Sequence, residues 1–85
     1  MEELYRLIEQ KIKDAGYNGA VDGEEIYSEI CDEIEGKENG HYIFMVKKEG
    51  NVHFEYTLQV MDEQFNLSSI NIVDNGISIM VDFDN

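Results

Sequence analysis

A chain of 85 residues with nineteen acids against six bases carries a formal net charge of −13, which repels DNA, RNA and anionic membranes, because affinity for phosphate chains rests on Lys and Arg. The length predicts a single domain over residues 1–85, and 42% hydrophobic content with five Tyr and four Phe can build a core rather than leave the chain disordered. Cys31 is the one cysteine, which excludes an internal disulfide and fits a reducing compartment.

The acidic start, Met1-Glu2-Glu3, lacks the apolar stretch of a signal peptide, and no apolar run approaches the roughly 18–20 residues of a membrane span. A cytoplasmic protein without membrane attachment is expected.

From Glu2 to Ala15, Leu4, Leu7, Ile8, Ile12 and Ala15 keep the i, i+3, i+4 spacing of an amphipathic helix. Gly16 stands where a left-handed C-terminal residue belongs, and Tyr17 to Val21 reads as a connecting loop. Asp22 opens a second helix, with Glu25 three positions on in the arrangement of a capping box. Ile26, Ile30 and Ile34, flanked by Tyr27 and Cys31, form its apolar stripe, and Gly36 ends it.

After a turn at Lys37-Glu38-Asn39-Gly40, four stretches read as strands: 41–48, 52–60, 65–73 and 77–83. A three-residue loop, Glu49-Gly50-Asn51, sets Val46 opposite Phe54, Phe44 opposite Tyr56 and Tyr42 opposite Leu58. A slip of one residue would move every side chain to the wrong face. Asn75-Gly76 is the signature of a type I′ turn and pairs Ile72 with Ile79 and Ile70 with Val81. Between them lies the connection Asp62-Glu63-Gln64. Phe65 and Leu67 share one parity while Ile70 and Ile72 share the other, which predicts a β-bulge near Ser68-Ser69.

The predicted fold class is α+β, with two N-terminal helices followed by a four-stranded antiparallel β-meander (ααββββ) and the helices packed on the sheet. Ile43, Met45 and Met80, beside Thr57, Gln59 and Asn71, project from the face opposite the main apolar one. The first helix is expected to cover them; left bare, they would form a patch for a partner or a homodimer.

Catalytic and metal signatures are missing. Cys31, on the apolar side of its helix, reads as a structural thiol, and Ser28, Ser68, Ser69 and Ser78 stand in no G-x-S-x-G elbow. His41 and His53 fall near opposite ends of the first hairpin, roughly 20 Å apart along the strands, too far to share a zinc. Asp74-Asn75-Gly76 and the pair Asp82 and Asp84 lack the spacing of a calcium loop, and no glycine-rich loop opens a helix. A non-enzymatic protein without cofactor or metal is expected.

Charge is unevenly spread. Between Asp22 and Glu38 the acids Asp22, Glu24, Glu25, Glu29, Asp32, Glu33, Glu35 and Glu38 face a single base, Lys37. Glu25, Glu29, Asp32 and Glu33 recur at i, i+4, i+7 and i+8 and are read as one solvent face. Like charges at that spacing cost a few tenths of a kcal/mol per pair. Such a face either keeps the chain soluble or sets carboxylates where a partner's Arg and Lys expect phosphates. On the second reading Glu24, Glu55, Asp62 and Glu63 extend the binding surface, and electrostatic steering speeds association.

No stretch carries a family motif. In size, charge and compactness the chain resembles the small acidic proteins that bacteriophages use against host defence, anti-CRISPR inhibitors and DNA mimics among them. That resemblance implies an inhibitor that occludes a basic nucleic-acid-binding protein, such as a CRISPR effector, and transfers no residue roles. The alternative expectation is a structural or regulatory module that binds or dimerises through its sheet.

Overall fold

A computed structural model describes residues 2–83, so Asp84 lies outside the described residues. Helices α1 (Glu2–Asp14) and α2 (Gly23–Ile34) precede strands β1 (Gly40–Lys47), β2 (Val52–Met61), β3 (Gln64–Asp74) and β4 (Ile77–Asp82). No helix among the described residues is long and apolar enough to cross a membrane.

In α1 only Ile8 and Ile12 are buried, while Leu4 and Leu7 stay exposed, so its buried stripe is narrower than its apolar pattern. Helix α2 buries Gly23, Ile26, Ile30 and Ile34. Asp22 caps it: the backbone is extended (φ −124, ψ 107), and its carboxylate accepts the amides of Glu24 at 3.0 Å and Glu25 at 3.3 Å. The segment between the helices is pinned by Tyr17, which is buried edge-on against Phe54 with ring centroids 5.7 Å apart.

The helices approach at backbone distance where α2 begins. A Cβ at Gly23 would lie 2.2 Å from the Tyr5 carbonyl oxygen, and the Gly23 amide donates to a Glu9 carboxylate oxygen at 2.8 Å. Tyr5 and Tyr27 close the same seam edge-on, 5.7 Å between centroids.

The sheet is an antiparallel meander in the order β1-β2-β3-β4. Val46 pairs with Phe54, Phe44 with Tyr56 and Tyr42 with Leu58, as the three-residue loop requires. Ile72 pairs with Ile79 and Ile70 with Val81 across the Asn75-Gly76 turn. The bulge falls on Ser68: Thr57 faces Ser69 and Leu58 faces Leu67, so the extra residue lets both apolar pairs of β3 point inward. The free Ser68 carbonyl accepts the Phe83 amide at 2.9 Å.

The middle connection is tighter than predicted. Met61 pairs with Gln64, leaving a two-residue turn in which Asp62 and Glu63 both adopt left-handed angles (φ 53 and 67). Asp tolerates that region better than most side chains do, but Glu63 has no such tolerance. Replacing the pair by Asn-Gly, as Asp62→Asn with Glu63→Gly, should stabilise the fold by about 1 kcal/mol. An unchanged or lowered urea midpoint would contradict that account of the turn.

Both helices pack on one face of the sheet. Their buried isoleucines form a single core with Phe54, Tyr56, Leu58, Val60, Ile70, Ile72 and Val81. The expectation that the first helix covers the other face is therefore corrected: Ile43, Met45 and Met80 remain 65, 61 and 61% exposed. The close contact of Gly23 with Tyr5 ties α1 to α2, and Ile8 and Ile12 hold it in the shared core.

Candidate functional site

On α2 each residue turns about 100° from the last. Glu29 immediately precedes buried Ile30 and lies three positions after buried Ile26, so it stands at the border of the apolar stripe rather than on the far side. Its carboxylate turns onto the sheet and lies 2.6 Å from Lys48 Nζ through each of its two oxygens. The Tyr56 hydroxyl donates to one of those oxygens at 2.9 Å. The Glu29 and Lys48 side chains are only 24 and 20% exposed, and Lys48 also lies over the Phe54 ring, 5.3 Å from its centroid. Glu25 reaches to 3.8 Å from the same ammonium but is 62% exposed.

The four-carboxylate solvent face expected on this helix is thus broken at its centre. Glu29 is folded against its own domain and neutralised there, with Glu25 at the margin of the same network. Glu24, Asp32 and Glu33 are exposed as expected. Asp32 and Glu63 line one open groove with Glu35 and Lys37, and Asp62 sits beside Glu63 at the exposed β2–β3 turn. Glu55 is half-buried on the opposite, open face of the sheet. Asp32, Asp62 and Glu63 thus gather around one groove, whereas Glu29 is folded onto the sheet and Glu55 lies on the opposite face.

A signal for the network was present in the sequence. Lys48 shares the inward parity of Val46, and Glu29 borders the buried stripe of the helix packed above. Tyr56, buried on the inner face, supplies the third group.

Burial, first, and then the hydrogen bond and charge of Glu29 with the charge of Glu25 push the Tyr56 hydroxyl well above its ordinary value of 10.0. The folded state holds this proton more tightly than the unfolded chain does. The resulting stabilisation is fully present below pH 10 and is lost as the pH rises above it. Burial raises Tyr17 and Tyr27 in the same direction. Urea midpoints should fall above pH 10, and Tyr56→Phe should flatten part of that fall; an unchanged slope in the variant would remove Tyr56 from the explanation.

Among the described residues no group of three or more His, Cys, Asp or Glu side chains could hold a metal ion. Cys31 is half-buried on α2, four residues after Tyr27. His41 pairs across the hairpin with Gln59 and His53 with Lys47, at opposite ends of β1. Asp74 leads into a turn whose Asn75 side chain accepts the Asn51 amide group at 3.1 Å, tying the two hairpin tips together.

The open sheet face has its own order. Met45, Glu55, Asn71 and Met80 form one row across all four strands, and Ile43, Thr57, Ser69 and Asp82 form the next. Exposed apolar side chains occupy both edge strands, and the Glu55 carboxylate with the short polar side chains of Thr57, Ser69 and Asn71 lies between. No family model, curated protein or solved structure matches the chain.

Proposed function

We propose that the protein is a non-enzymatic interaction module that binds through the open face of its sheet. The observation that carries this reading is the exposure of Ile43, Met45 and Met80 on a face that neither helix covers. Fully burying a side chain of this kind contributes roughly 1.5–3 kcal/mol, so three of them supply a substantial part of a binding energy. Exposed apolar side chains gathered on one uncovered face mark interaction sites, and here Ile43 and Met45 are neighbours on β1 while Met80 lies across the sheet on β4. The acids then keep the free protein soluble and bias it against nucleic acid and anionic membranes.

A second reading keeps the basic partner. Glu24, Asp32 and Glu33 are exposed, and the ion pairs described for the acids of α2 run to Lys48 from Glu25 and Glu29. These remaining carboxylates could occlude a basic, nucleic-acid-binding protein such as a CRISPR effector, by steric and electrostatic blockade without turnover.

Paired variants separate the two. Ile43→Asp with Met45→Asp disables the sheet face, whereas Asp32→Lys with Glu33→Lys reverses the helix charge without touching Glu29, whose loss would disturb the fold. The sheet-face reading expects partner capture to fall at least tenfold in the first pair, to survive in the second and to persist at high salt. Capture lost only in the second pair, and weakened by salt, would replace it with electrostatic occlusion.

A further inference from the structure

The sheet is open at β1, and we propose that this edge takes an extended segment of another protein as a fifth strand, uncharged along its paired length and apolar on both faces. The inference rests on the sheet-face reading, since Ile43 and Met45 belong to both, and adds the partner's conformation and its place of attachment.

The backbone sets that conformation. The Lys48 amide donates to the Val52 carbonyl at 2.8 Å, and hydrogen-bonded pairs alternate along an antiparallel ladder. In the observed register Val46, Phe44 and Tyr42 therefore bond to β2, while His41, Ile43, Met45 and Lys47 turn their amides and carbonyls to the outer edge. No other strand among the described residues lies there. Donors and acceptors repeated at every second residue, about 6.6 Å apart, match another extended backbone.

The two edges of the sheet are not alike. β4 has six residues and ends on Asp82, and α1 lies against it, with Lys11 Nζ 3.4 Å from the Asp82 carbonyl oxygen. β1 has eight residues, pairs without a bulge, and carries neither the proline nor the inward charge that blunts an edge. Its one lysine, Lys47, stands at the last position.

Side chains along β1 define the occupant. Between Gly40 and Lys48 there is no acid, in a chain that has nineteen. Charges gather only at the two ends, Lys37 and Glu38 before the strand and Lys47, Lys48 and Glu49 at its close. Ile43 and Met45 stand exposed on the open face. On the inner face the Tyr42 and Phe44 rings stack 5.9 Å apart and stay half-buried. A fifth strand would cover both pairs, so apolar side chains suit it on either side. A second copy brings its own −13, which opposes the approach, whereas a neutral segment meets no such repulsion.

Random eight-residue peptides displayed against the intact chain test this, with amide hydrogen exchange showing where the best of them binds. Retained peptides should be rich in β-branched and aromatic residues and poor in Asp, Glu and Pro. On adding a synthetic copy of one, exchange at His41, Ile43, Met45 and Lys47 should slow at least tenfold, with Ser78, Met80 and Asp82 unchanged. His41→Pro with Lys47→Pro keeps both apolar side chains and the bonds of β1 to β2, since proline is tolerated where the amide faces outward. Peptide binding by that pair should fall at least tenfold. Should the pair not fold by circular dichroism, the exchange pattern of the unaltered chain decides alone. No retained peptide, acidic retained peptides, or protection at β4 in place of β1 would overturn the inference. Slowed exchange at the four β1 amides that needs no peptide and grows with protein concentration would overturn it in favour of a second copy. Partner capture kept by the proline pair but lost in Ile43→Asp with Met45→Asp ends this inference and leaves the sheet-face reading standing. Capture kept by both pairs ends that reading as well.

Discussion

Gly23→Ala is expected to destabilise the fold by about 2–3 kcal/mol, a large fraction of the total for a domain of this size. The added methyl would sit 2.2 Å from the Tyr5 carbonyl oxygen, 2.7 Å from its carbon and 2.8 Å from its Cα, all backbone atoms that cannot swing aside. Relief requires α2 to move off α1, which opens the Tyr5–Tyr27 seam and stretches the bond from the Gly23 amide to Glu9. Alanine's higher helix propensity returns less than about 1 kcal/mol of this. Gly50→Ala is the control, since Gly50 has φ +68 but nothing within 4 Å of the added carbon. Only the left-handed strain, about 1 kcal/mol, should appear there. A Gly23→Ala urea midpoint equal to that of the parent would show that the helices are not held at backbone distance.

Lys48→Met is expected to cost about 2–3 kcal/mol. Methionine keeps the apolar stem over Phe54 but leaves the Glu29 carboxylate half-buried with the Tyr56 hydroxyl as its remaining described partner. Stranding one member of a fully buried ion pair costs about 3–5 kcal/mol, and the residual exposure of both side chains lowers that figure here. Removing both charges, as Lys48→Met with Glu29→Met, should recover most of the loss, because a well-packed apolar pair is often as stable as the ion pair it replaces. A double variant no more stable than Lys48→Met alone would contradict the pairing. This network also decides how the acidic helix is read. A carboxylate engaged by its own domain's ammonium and phenol is not displayed for anyone else's cation.

Much of the fold was legible because strand parity is unforgiving. The placement of Phe44, Val46, Phe54 and Tyr56 admits one hairpin register, and the change of parity between Leu67 and Ile70 demands an extra residue, found at Ser68. Asp22 and Asn75-Gly76 carry their own local chemistry, a cap and a left-handed turn. What escaped depends on tertiary approach. The expected turn at Asp62-Glu63-Gln64 proved shorter because the hairpin sets both Asp62 and Glu63 at left-handed angles, which the identity of Glu63 does not announce. Tyr17 lies in a glycine-flanked loop with no periodicity to announce its burial. The face taken by α1 could not be read from its own sequence, since both sides of the sheet carry apolar side chains. The larger aromatic and branched set on the inner face captured both helices. Among the candidate binding residues, spacing placed Glu25, Glu29, Asp32 and Glu33 on one side of α2. It did not reveal that this side borders the sheet, where Lys48 waits with inward parity.

Site-specific photo-cross-linking in intact cells compares the two surfaces directly, with a photoreactive residue replacing Met45 in one protein and Glu33 in another. The account predicts a discrete covalent adduct from position 45, whether to a second copy or to another protein, and little from position 33. Adducts from position 33 with none from position 45 would mean that the sheet's bare face is idle and that the remaining acids of α2 make the contact.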